Sequence, residues 1–551
     1  MVTFSSICSL LVAQACAVIA ASSPDMLRSR RLDYEWLARY HPESIVTDHA
    51  AIDLDQLAIE SQLARKTDEG FQNAKAIYQQ GGYSKSFAQL KLNDPLPFPI
   101  KKGTIVTGID SSGASVAGTI MIDAEKGIST LSIQYKASES QADYVTCQVG
   151  ALSSFGMEKL DGCFAVNGTI DINDEVVEYT YDPKANNNNA RTISDFSKSA
   201  GTKMFNCGAG CPHQEFLKYY NYYGTLTYGD DMVLGALDGE KTLFKNGNLD
   251  FSKYNLNERA AFAKRATKYM NIYMYVIREM EDSIGDCKAS CKYCNDDPVH
   301  AWDEAVAFYT GSLQQGKVAG GEGVLLYSLA DRMCLSFNTC GPKGKSTMGT
   351  SKVNTDIFEL FALGQYNLQS GQCELMRDIT DRIIDLMAIP LIQSVLYYAY
   401  HVDEDRLIRG NEKMAAGAAV AHALLPRIAA CNNVDAWKVY DNLSVGSKNP
   451  DFYSVKKALE NSYECMNTKC SDVGGVWAPG IKDYHQGAEP CSPSSPIMST
   501  TNSSNTVNIL AIALGSAAGA FALLACCCIF FLYKREKDGK PVFMQTDRTL
   551  T

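Results

Sequence analysis

Two strongly apolar segments, one near each end of the sequence, determine the environment in which the rest of the chain must fold. Residues 7–21 are almost wholly apolar and end in Ala-Ala before two serines, which predicts a secretory signal peptide over residues 1–21. Residues 509–533 form a second apolar run, long enough to cross about 30 Å of hydrocarbon as one helix. Basic residues follow at once, so we expect residues 534–551 in the cytoplasm. The sequence therefore predicts an ectodomain anchored in the plasma membrane by a single C-terminal transmembrane helix.

The cysteines fit this extracellular location. Five of the 19 lie within the two apolar segments, which leaves 14 for the ectodomain. An even number in an oxidising compartment predicts up to seven disulfides. Cys287, Cys291 and Cys294 have a spacing found in zinc clusters, but no fourth ligand follows at a suitable spacing, so disulfides are the preferred interpretation.

Charge and composition restrict the class of partner. The net charge of -11 argues against a nucleic acid and suits the capture of cations. With 551 residues, 46% of them hydrophobic, the chain can build two to four domains with true cores. Sequons at Asn167, Asn442 and Asn502 predict an exposed, glycosylated surface.

The residue pattern predicts an α+β fold, in which a small β-rich N-terminal region precedes a larger, disulfide-linked helical domain. Short alternating runs separated by turn residues are typical of a small β-sandwich or barrel, whereas later residues repeat with helical spacing. Pro390 is expected to kink a long helix. The predicted segments are residues 22–97 (N-terminal and helical), 98–211 (β-rich), 212–486 (helical, with the binding site) and 487–508 (a stalk rich in Gly, Pro, Ser and Thr).

The strongest candidate site lies on a helix that is expected to start at Pro298. At about 100° per residue, positions three and four apart share one helical face, so His300, Asp303 and Glu304 lie together. Small residues follow on the same stripe, where a facing helix or a small anion can approach the backbone closely. This pattern predicts a metal site.

An upstream segment repeats the pattern. Tyr228 and Asp231 stand 72 residues before His300 and Asp303, and small residues again follow on the same stripe. Phenol, imidazole and carboxylate ligands together suit a ferric ion better than a soft metal. We therefore predict that the two pairs converge on one Fe³⁺. The alternative is that these side chains only form a helix cap and a solvent-exposed face on two ordinary helices.

Sequence signatures of common enzymes are missing. The chain has no Gly-x-Ser-x-Gly elbow, no His-Glu-x-x-His and no complete phosphate-binding loop. We therefore expect a binding protein rather than an enzyme.

Several longer stretches carry a family resemblance. They are residues 275–287 (Tyr-Val-Ile-Arg-Glu-Met-Glu-Asp-Ser-Ile-Gly-Asp-Cys), 300–312, 326–331, 387–393 and 473–477 (Val-Gly-Gly-Val-Trp). Together they resemble the algal iron-assimilation proteins, and among these the iron-starvation-induced phytotransferrins of diatoms. The resemblance covers most of the ectodomain. It implies high-affinity binding of ferric iron at the cell surface with carbonate as a synergistic anion, followed by endocytic uptake and cycling through endosomes.

A carbonate that completes the coordination of iron needs a cation beside it. Arg278 or Arg332 could provide a guanidinium fork, although either could equally form an ordinary helix salt bridge. Because a tyrosine ligand must lose a proton that it normally holds to a pKa of about 10, iron affinity is expected to fall in acid. An acidified vesicle would then release the metal.

Two other functions remain open from the sequence. The cysteines, sequons and stalk are also typical of a cell-surface adhesion or structural protein. A metal-dependent surface hydrolase that uses His300 and Glu304 is the third interpretation.

Overall fold

A computed structural model describes most of the chain between the two terminal apolar segments. The described residues are 37–44, 46–81, 87–109, 113–120, 123–135, 164–182, 191–208, 210–289, 298–314, 323–403 and 410–491. The predicted signal peptide, transmembrane helix and cytoplasmic tail lie outside these ranges. So do Asn502 and the predicted stalk after residue 491.

Six antiparallel strands form one sheet that curls into a closed barrel. They are β1 (Phe87–Leu92), β2 (Ile105–Ile109), β3 (Ser115–Ile120), β4 (Thr130–Tyr135), β5 (Asn167–Ile172) and β6 (Glu175–Thr180). The strand order is β1-β4-β3-β2-β5-β6, and β1 also pairs with β6, which closes the barrel. Alternate residues such as Ile170 and Ile172 point into a separate small core. The predicted mixture of a β-rich region and helices is confirmed.

The barrel starts earlier and ends earlier than the predicted region of residues 98–211. Its first strand, β1, lies within the segment predicted to be helical, and a helix at Ile193–Lys198 lies within the segment predicted to be β-rich. In β1, Leu90 is paired with Leu131 of β4. Because that partner is distant in the sequence, the local pattern alone could not reveal the strand.

Sixteen α-helices make up most of the rest of the described residues. They are α1 (Thr47–Ala50), α2 (Ile52–Ala64), α3 (Asp68–Gln80), α4 (Ile193–Lys198), α5 (Gln214–Tyr223), α6 (Tyr228–Asp238), α7 (Leu256–Ala266), α8 (Tyr273–Lys288), α9 (Pro298–Thr310), α10 (Leu326–Phe337), α11 (Lys352–Gln369), α12 (Met376–Val402), α13 (Asn411–Cys431), α14 (Asn433–Leu443), α15 (Phe452–Ser462) and α16 (Cys470–Val473). Short 3-10 turns lie at Phe251–Lys253, Ser312–Gln314 and Cys373–Leu375, π-helical segments at Gly201–Phe205 and Thr267–Ile272, and a strand pair at β7 (Trp477–Ala478) and β8 (Asp483–Tyr484).

Local sequence signals explain where several helices begin and end. Asn255 and Glu258 form a capping box at the start of α7, in which each side chain accepts from the other's backbone N–H. Helices α6 and α9 both end at a glycine, Gly239 and Gly311, each with φ of 78°. Glycine adopts this left-handed conformation without the steric cost that a Cβ atom brings.

The longest helices lie in the middle of the helical core. Among the described residues, two stretches, Cys373–Val402 and Asn411–Cys431, are long and apolar enough to cross a membrane by length and composition. Their most apolar windows are 78% and 83% buried against the rest of the protein, so core packing accounts for their composition. Helix α12 runs through Pro390, whose carbonyl accepts a hydrogen bond from the Ser394 hydroxyl at 2.7 Å.

Disulfide bonds link the helical part, as predicted. The described pairs are Cys207–Cys211, Cys287–Cys373, Cys334–Cys340, Cys431–Cys465 and Cys470–Cys491. The Cys287–Cys373 bond joins α8 to the turn before α12, so Cys287 is not a zinc ligand. Cys291 and Cys294 lie outside the described residues.

A prediction follows from the tight packing of α9 against α11. A Cβ atom at Gly364 would lie 2.2 Å from Cζ2 of Trp302, whose indole is fully buried and donates to the Phe361 carbonyl at 2.9 Å. We expect Gly364→Ala to lower the free energy of unfolding by about 1–3 kcal/mol in chemical denaturation, because the core cannot accept the added methyl group.

The matched control for this change is Gly285→Ala in α8. No heavy atom lies within 4 Å of a Cβ at that position. Alanine there should raise stability by about 0.5–1 kcal/mol through helix propensity alone. Equal effects of the two substitutions would contradict the packing argument.

Candidate metal centre

Helix α9 begins at Pro298, as the sequence predicts. Its two consecutive acidic residues, Asp303 and Glu304, contact different parts of the protein. Asp303 is fully buried and Glu304 is 7% exposed. Successive residues on a helix point about 100° apart, so the two carboxylates face different elements. This divergence separates a structural role from a ligand role.

Asp303 anchors the N-terminal segment to α9. Its Oδ2 accepts hydrogen bonds from the Glu43 N–H at 2.8 Å, the Ser44 N–H at 2.9 Å and the Ser44 hydroxyl at 2.8 Å. Its Oδ1 accepts from the hydroxyl of Tyr40 and from the Gln365 amide. Burial raises the pKa of Asp303, while these hydrogen bonds act in the opposite direction. Both carboxylate oxygens of Asp303 already accept at least two hydrogen bonds each. The sequence prediction that Asp303 binds a metal therefore does not fit its surroundings.

Asp53 forms a second anchor at the far end of α9. Its carboxylate accepts from the Ser312 hydroxyl at 2.6 Å and from the Leu313 N–H at 2.7 Å. A Cβ at Gly311 would lie 2.4 Å from Asp53 Oδ2, so only glycine permits this close approach. The two aspartates therefore hold the N-terminal segment against α9 from both ends.

His49 is brought opposite Glu304 between these two anchors. Its Nε2 contacts Glu304 Oε1, and His300 Nε2 lies 3.2 Å from the same oxygen. The two imidazole rings are nearly perpendicular, with centroids 5.6 Å apart. One ligand atom from each residue lies within 4.8 Å of the other two, and we call this group the His49–His300–Glu304 cluster.

Arg191 borders the cluster. Its guanidinium contacts His49 Nε2 and lies 4.0 Å from Glu304 Oε1. His49 Nε2 therefore faces a donor, Arg191, and an acceptor, Glu304, although one ring nitrogen can only donate or accept. A metal ion between His49 Nε2 and Glu304 Oε1 would accept a lone pair from the nitrogen and another from the oxygen. These donor atoms therefore fit a metal ion. The guanidinium beside it could bind an anion.

The electrostatics of Glu304 also suit a cation. Burial alone would raise its pKa, but the charge of His49 and hydrogen bonds from His300 and His49 outweigh burial and hold the pKa well below its usual range. This low pKa depends on a positive partner at a buried position, where attraction between opposite charges is poorly screened. Protonated His49 is that partner here, and a metal ion could take the place of its proton.

The predicted anion-binding arginines lie elsewhere. Arg278 is engaged by the carboxylates of Glu279 and Asp282, the second at 3.0 Å. Arg332 donates to the Ser328 hydroxyl at 2.7 Å. Neither guanidinium contacts the His49–His300–Glu304 cluster, whereas Arg191, which sequence reasoning missed, does.

The upstream pair does not join the cluster. The Tyr228 ring packs between Tyr219 and Tyr223, with centroids 5.4 and 5.3 Å away, and burial raises the pKa of its hydroxyl well above the ordinary value. Asp231 accepts from the Thr227 hydroxyl at 3.0 Å. Within the described part of the chain, neither residue contacts His300, so the two halves of the repeat do not converge.

The repeat instead reflects helix architecture. Both copies are helices that end at a glycine with φ of 78°, and Gly235 lies against the ring of Phe251, where a Cβ would approach to 3.2 Å. His49 was missed because it lies in another segment. A survey of all seven histidines of the chain could have drawn attention to it.

A second group of ligand-type residues lies at Cys207, Cys211 and His213. His213 Nε2 is 3.9 Å from each sulfur. Because the two cysteines form a disulfide, they offer no thiolate to a metal.

Two of the predicted glycosylation sites lie within the described residues. Asn167 is exposed at the start of β5. The Asn442 amide donates to the Lys438 carbonyl at 2.8 Å and accepts from the Asp451 N–H at 2.7 Å. A glycan on Asn442 would therefore replace a helix-side hydrogen bond.

Comparisons with known proteins add no relative: no family model matches the sequence, and no curated protein or solved structure matches it significantly. The chemistry of the His49–His300–Glu304 cluster therefore carries the functional argument.

Asp303 and its counterpart in the upstream repeat, Asp231, should differ in their effect on stability. Asp303→Asn puts an N–H₂ group against donors that now reach a carboxylate, so we expect a loss of about 2–4 kcal/mol in the free energy of unfolding. Hydrogen exchange of residues 37–44 should also become faster. Asp231, which is half-buried and whose side chain is hydrogen-bonded only by the threonine hydroxyls of Thr227 and Thr225 among the described residues, should tolerate Asp231→Asn at a cost of less than about 1 kcal/mol. Equal costs would contradict the assignment of Asp303 as an anchor.

The Asp53 anchor predicts a pH dependence. Burial raises the pKa of Asp53 from 3.8 to about 7, against the hydrogen bonds from Leu313 and Ser312. The folded state therefore binds this proton more tightly than the unfolded state. Stability from this group is fully present below pH 4 and is lost as the pH rises through 7.

Asp53→Asn removes this titration. In urea denaturation at pH 4.5, 6 and 7.5, the stability advantage of the wild type over the variant should shrink with rising pH, by about 1.4 kcal/mol for each pKa unit at most. A difference that does not vary with pH would disprove the raised pKa.

Proposed function

We propose that this protein captures ferric iron at the cell surface, with the metal held by the His49–His300–Glu304 cluster and carbonate held by Arg191. The observation that carries the proposal is the convergence of two imidazole nitrogens and an ionised, buried carboxylate within 4.8 Å, next to a guanidinium group. The family resemblance of the sequence supports iron as the ion and carbonate as the anion.

The donor set is compatible with iron. Two histidines and one carboxylate on one side of a metal leave open positions, an arrangement that iron sites use. An oxyanion in those positions would add oxygen ligands, which a ferric ion favours. Arg191 is placed to neutralise part of the charge of that anion and to orient it through paired N–H donors.

This ligand set changes the spectroscopic expectation. The cluster consists of two imidazoles and one carboxylate, and burial raises the pKa of Tyr275, whose hydroxyl accepts from Lys203 at 3.0 Å, well above the ordinary value. Iron bound by His49, His300 and Glu304 should therefore lack the strong visible band of a tyrosinate complex.

Acid release follows from the imidazole ligands. Each histidine must be neutral to bind a metal, and its ordinary pKa of about 6.5 lies close to the pH of acidified vesicles. Protons would then compete for both nitrogens as the pH falls. This supports capture at the plasma membrane and release after endocytosis, with the predicted C-terminal helix as the anchor.

A metal-dependent hydrolase is the second candidate, and one observation favours it. Two histidines, one glutamate and an open position also form the donor set of catalytic zinc sites. Burial raises the pKa of Glu279, opposed by the charge of Arg278 and reinforced by that of Glu304, so a second carboxyl near the cluster could act as a base. Chelator-sensitive turnover of a small ester or peptide would favour this function.

A purely adhesive role is the remaining alternative. Under it, substitutions in the His49–His300–Glu304 cluster would leave the metal content of the protein unchanged.

The central prediction concerns iron stoichiometry and affinity. Purified protein should bind one ferric ion supplied as a weak chelate, with bicarbonate increasing the affinity, and binding should be lost below about pH 6. His49→Ala, His300→Ala and Glu304→Gln should each weaken binding by about 100-fold or more, measured by competition with a chelator. Arg191→Gln should mainly reduce the effect of bicarbonate.

The matched control is Tyr228→Phe, which removes only the hydroxyl of the earlier candidate ligand. It should bind iron like the wild type, because that hydroxyl lies in the aromatic core. If Tyr228→Phe loses iron and His49→Ala retains it, the proposed cluster is not the site.

A further inference from the structure

A cavity of about 200 Å³ shares no residue with the His49–His300–Glu304 cluster and is lined mainly by positive charge among its ionisable residues. It is formed by residues of α2, α7, the π-helical segment after α7, α10, α12 and α13. Four of its lining residues are cationic and one is acidic: Lys264, Arg265, Lys268, Arg332 and Glu60. The chain as a whole is acidic, with a net charge of -11, so this wall is opposite in sign to the protein.

Only one of the four cations is neutralised by a carboxylate. Lys268 Nζ lies 2.7 Å from Glu60 Oε1. Lys264, Arg265 and Arg332 form no salt bridge with any carboxylate of the described chain. Among the lining residues, cations therefore outnumber carboxylates by four to one, and Glu412 acts on Lys264 from outside the lining.

The two arginines are oriented by neutral groups. Arg265 donates to the Tyr398 hydroxyl and to the Ala261 carbonyl, both at 2.7 Å. Arg332 donates to the Ser328 hydroxyl at 2.7 Å. These contacts fix the guanidinium groups without neutralising them, and the remaining N–H donors stay available to an anion.

The concentration of charge has an electrostatic cost. Burial lowers the pKa of Lys264, and the charge of the adjacent Arg265 lowers it further, against the opposing charges of Glu60 and Glu412. Arg332 is exposed, as a solvated cation would be, but Lys264 and Arg265 are half-buried and the cavity also has buried apolar walls that include Leu329 and Val420. An anion in the cavity would offset this repulsion.

We propose that this cavity binds a small multivalent oxyanion, one that carries two or more carboxylate or phosphate groups. The uncompensated cations come from separate elements, Lys264 and Arg265 from α7 and Arg332 from α10, so a single carboxylate would neutralise only part of the wall. The ligand is small because the cavity is, and Arg groups favour planar or tetrahedral oxyanions through paired N–H donors. The site is independent of the metal cluster, because the two share no residue.

The test is calorimetric titration of the full chain, stripped of metal on a chelating resin, with citrate, pyrophosphate or acetate. At low ionic strength we expect saturable 1:1 binding of citrate or pyrophosphate with a Kd below about 1 mM, and no binding of acetate. The tighter of the two multivalent probes identifies carboxylate or phosphate as the preferred group. Added salt should weaken the binding.

Variants locate the site. Lys264→Gln and Arg332→Gln should each raise the Kd by about tenfold or more, whereas Lys343→Gln, the same charge change at an exposed loop lysine outside the cavity, should leave it unchanged. His49→Ala should retain anion binding while losing iron, which separates this proposal from the metal site. Thermal melting of each variant checks that it is folded.

Two outcomes would overturn the proposal. One is the absence of saturable binding of both citrate and pyrophosphate. The other is folded Lys264→Gln and Arg332→Gln proteins that bind as tightly as the wild type.

Discussion

The hydrogen bonds that two buried aspartates accept are the constraint on which the rest of the site depends. A carboxylate taken out of water is costly unless hydrogen bonds replace its hydration. Asp303 therefore fixes Tyr40, Glu43 and Ser44 against α9, and Asp53 fixes the chain just after α9. The segment between them contains only a four-residue helix, too short to hold its own position. These two anchors place His49 opposite Glu304.

Burial also governs the electrostatics of the His49–His300–Glu304 cluster. In a poorly solvated position, Glu304 stays ionised only because positively charged and hydrogen-bonding neighbours surround it. Arg191 and two imidazoles meet at one carboxylate oxygen, so removing a proton from the histidines leaves a site that a cation can fill. Under the proposed function, proton loss from the histidines would accompany the binding of the metal ion.

Local patterns predicted much of this fold, because helices are specified by neighbouring residues. The start of α9 at Pro298 and most strands of the barrel follow from spacing and turn residues. Strand β1 and the pairing of His49 with Glu304 do not, because each joins segments far apart in the chain. The number of disulfides was bounded by composition, but their partners depend on how helices such as α8 and α12 pack.

The repeat shows why a shared helical stripe is insufficient to define a metal site. A stripe fixes which side chains of one helix lie together, yet a metal needs ligands from a facing element as well. In α6 the facing element is an aromatic core that buries Tyr228, and in α9 it is the segment that supplies His49. Asp303 and Glu304 differ for the same reason: adjacent positions on one helix face different neighbours, and the neighbour decides whether a carboxylate becomes an anchor or a ligand.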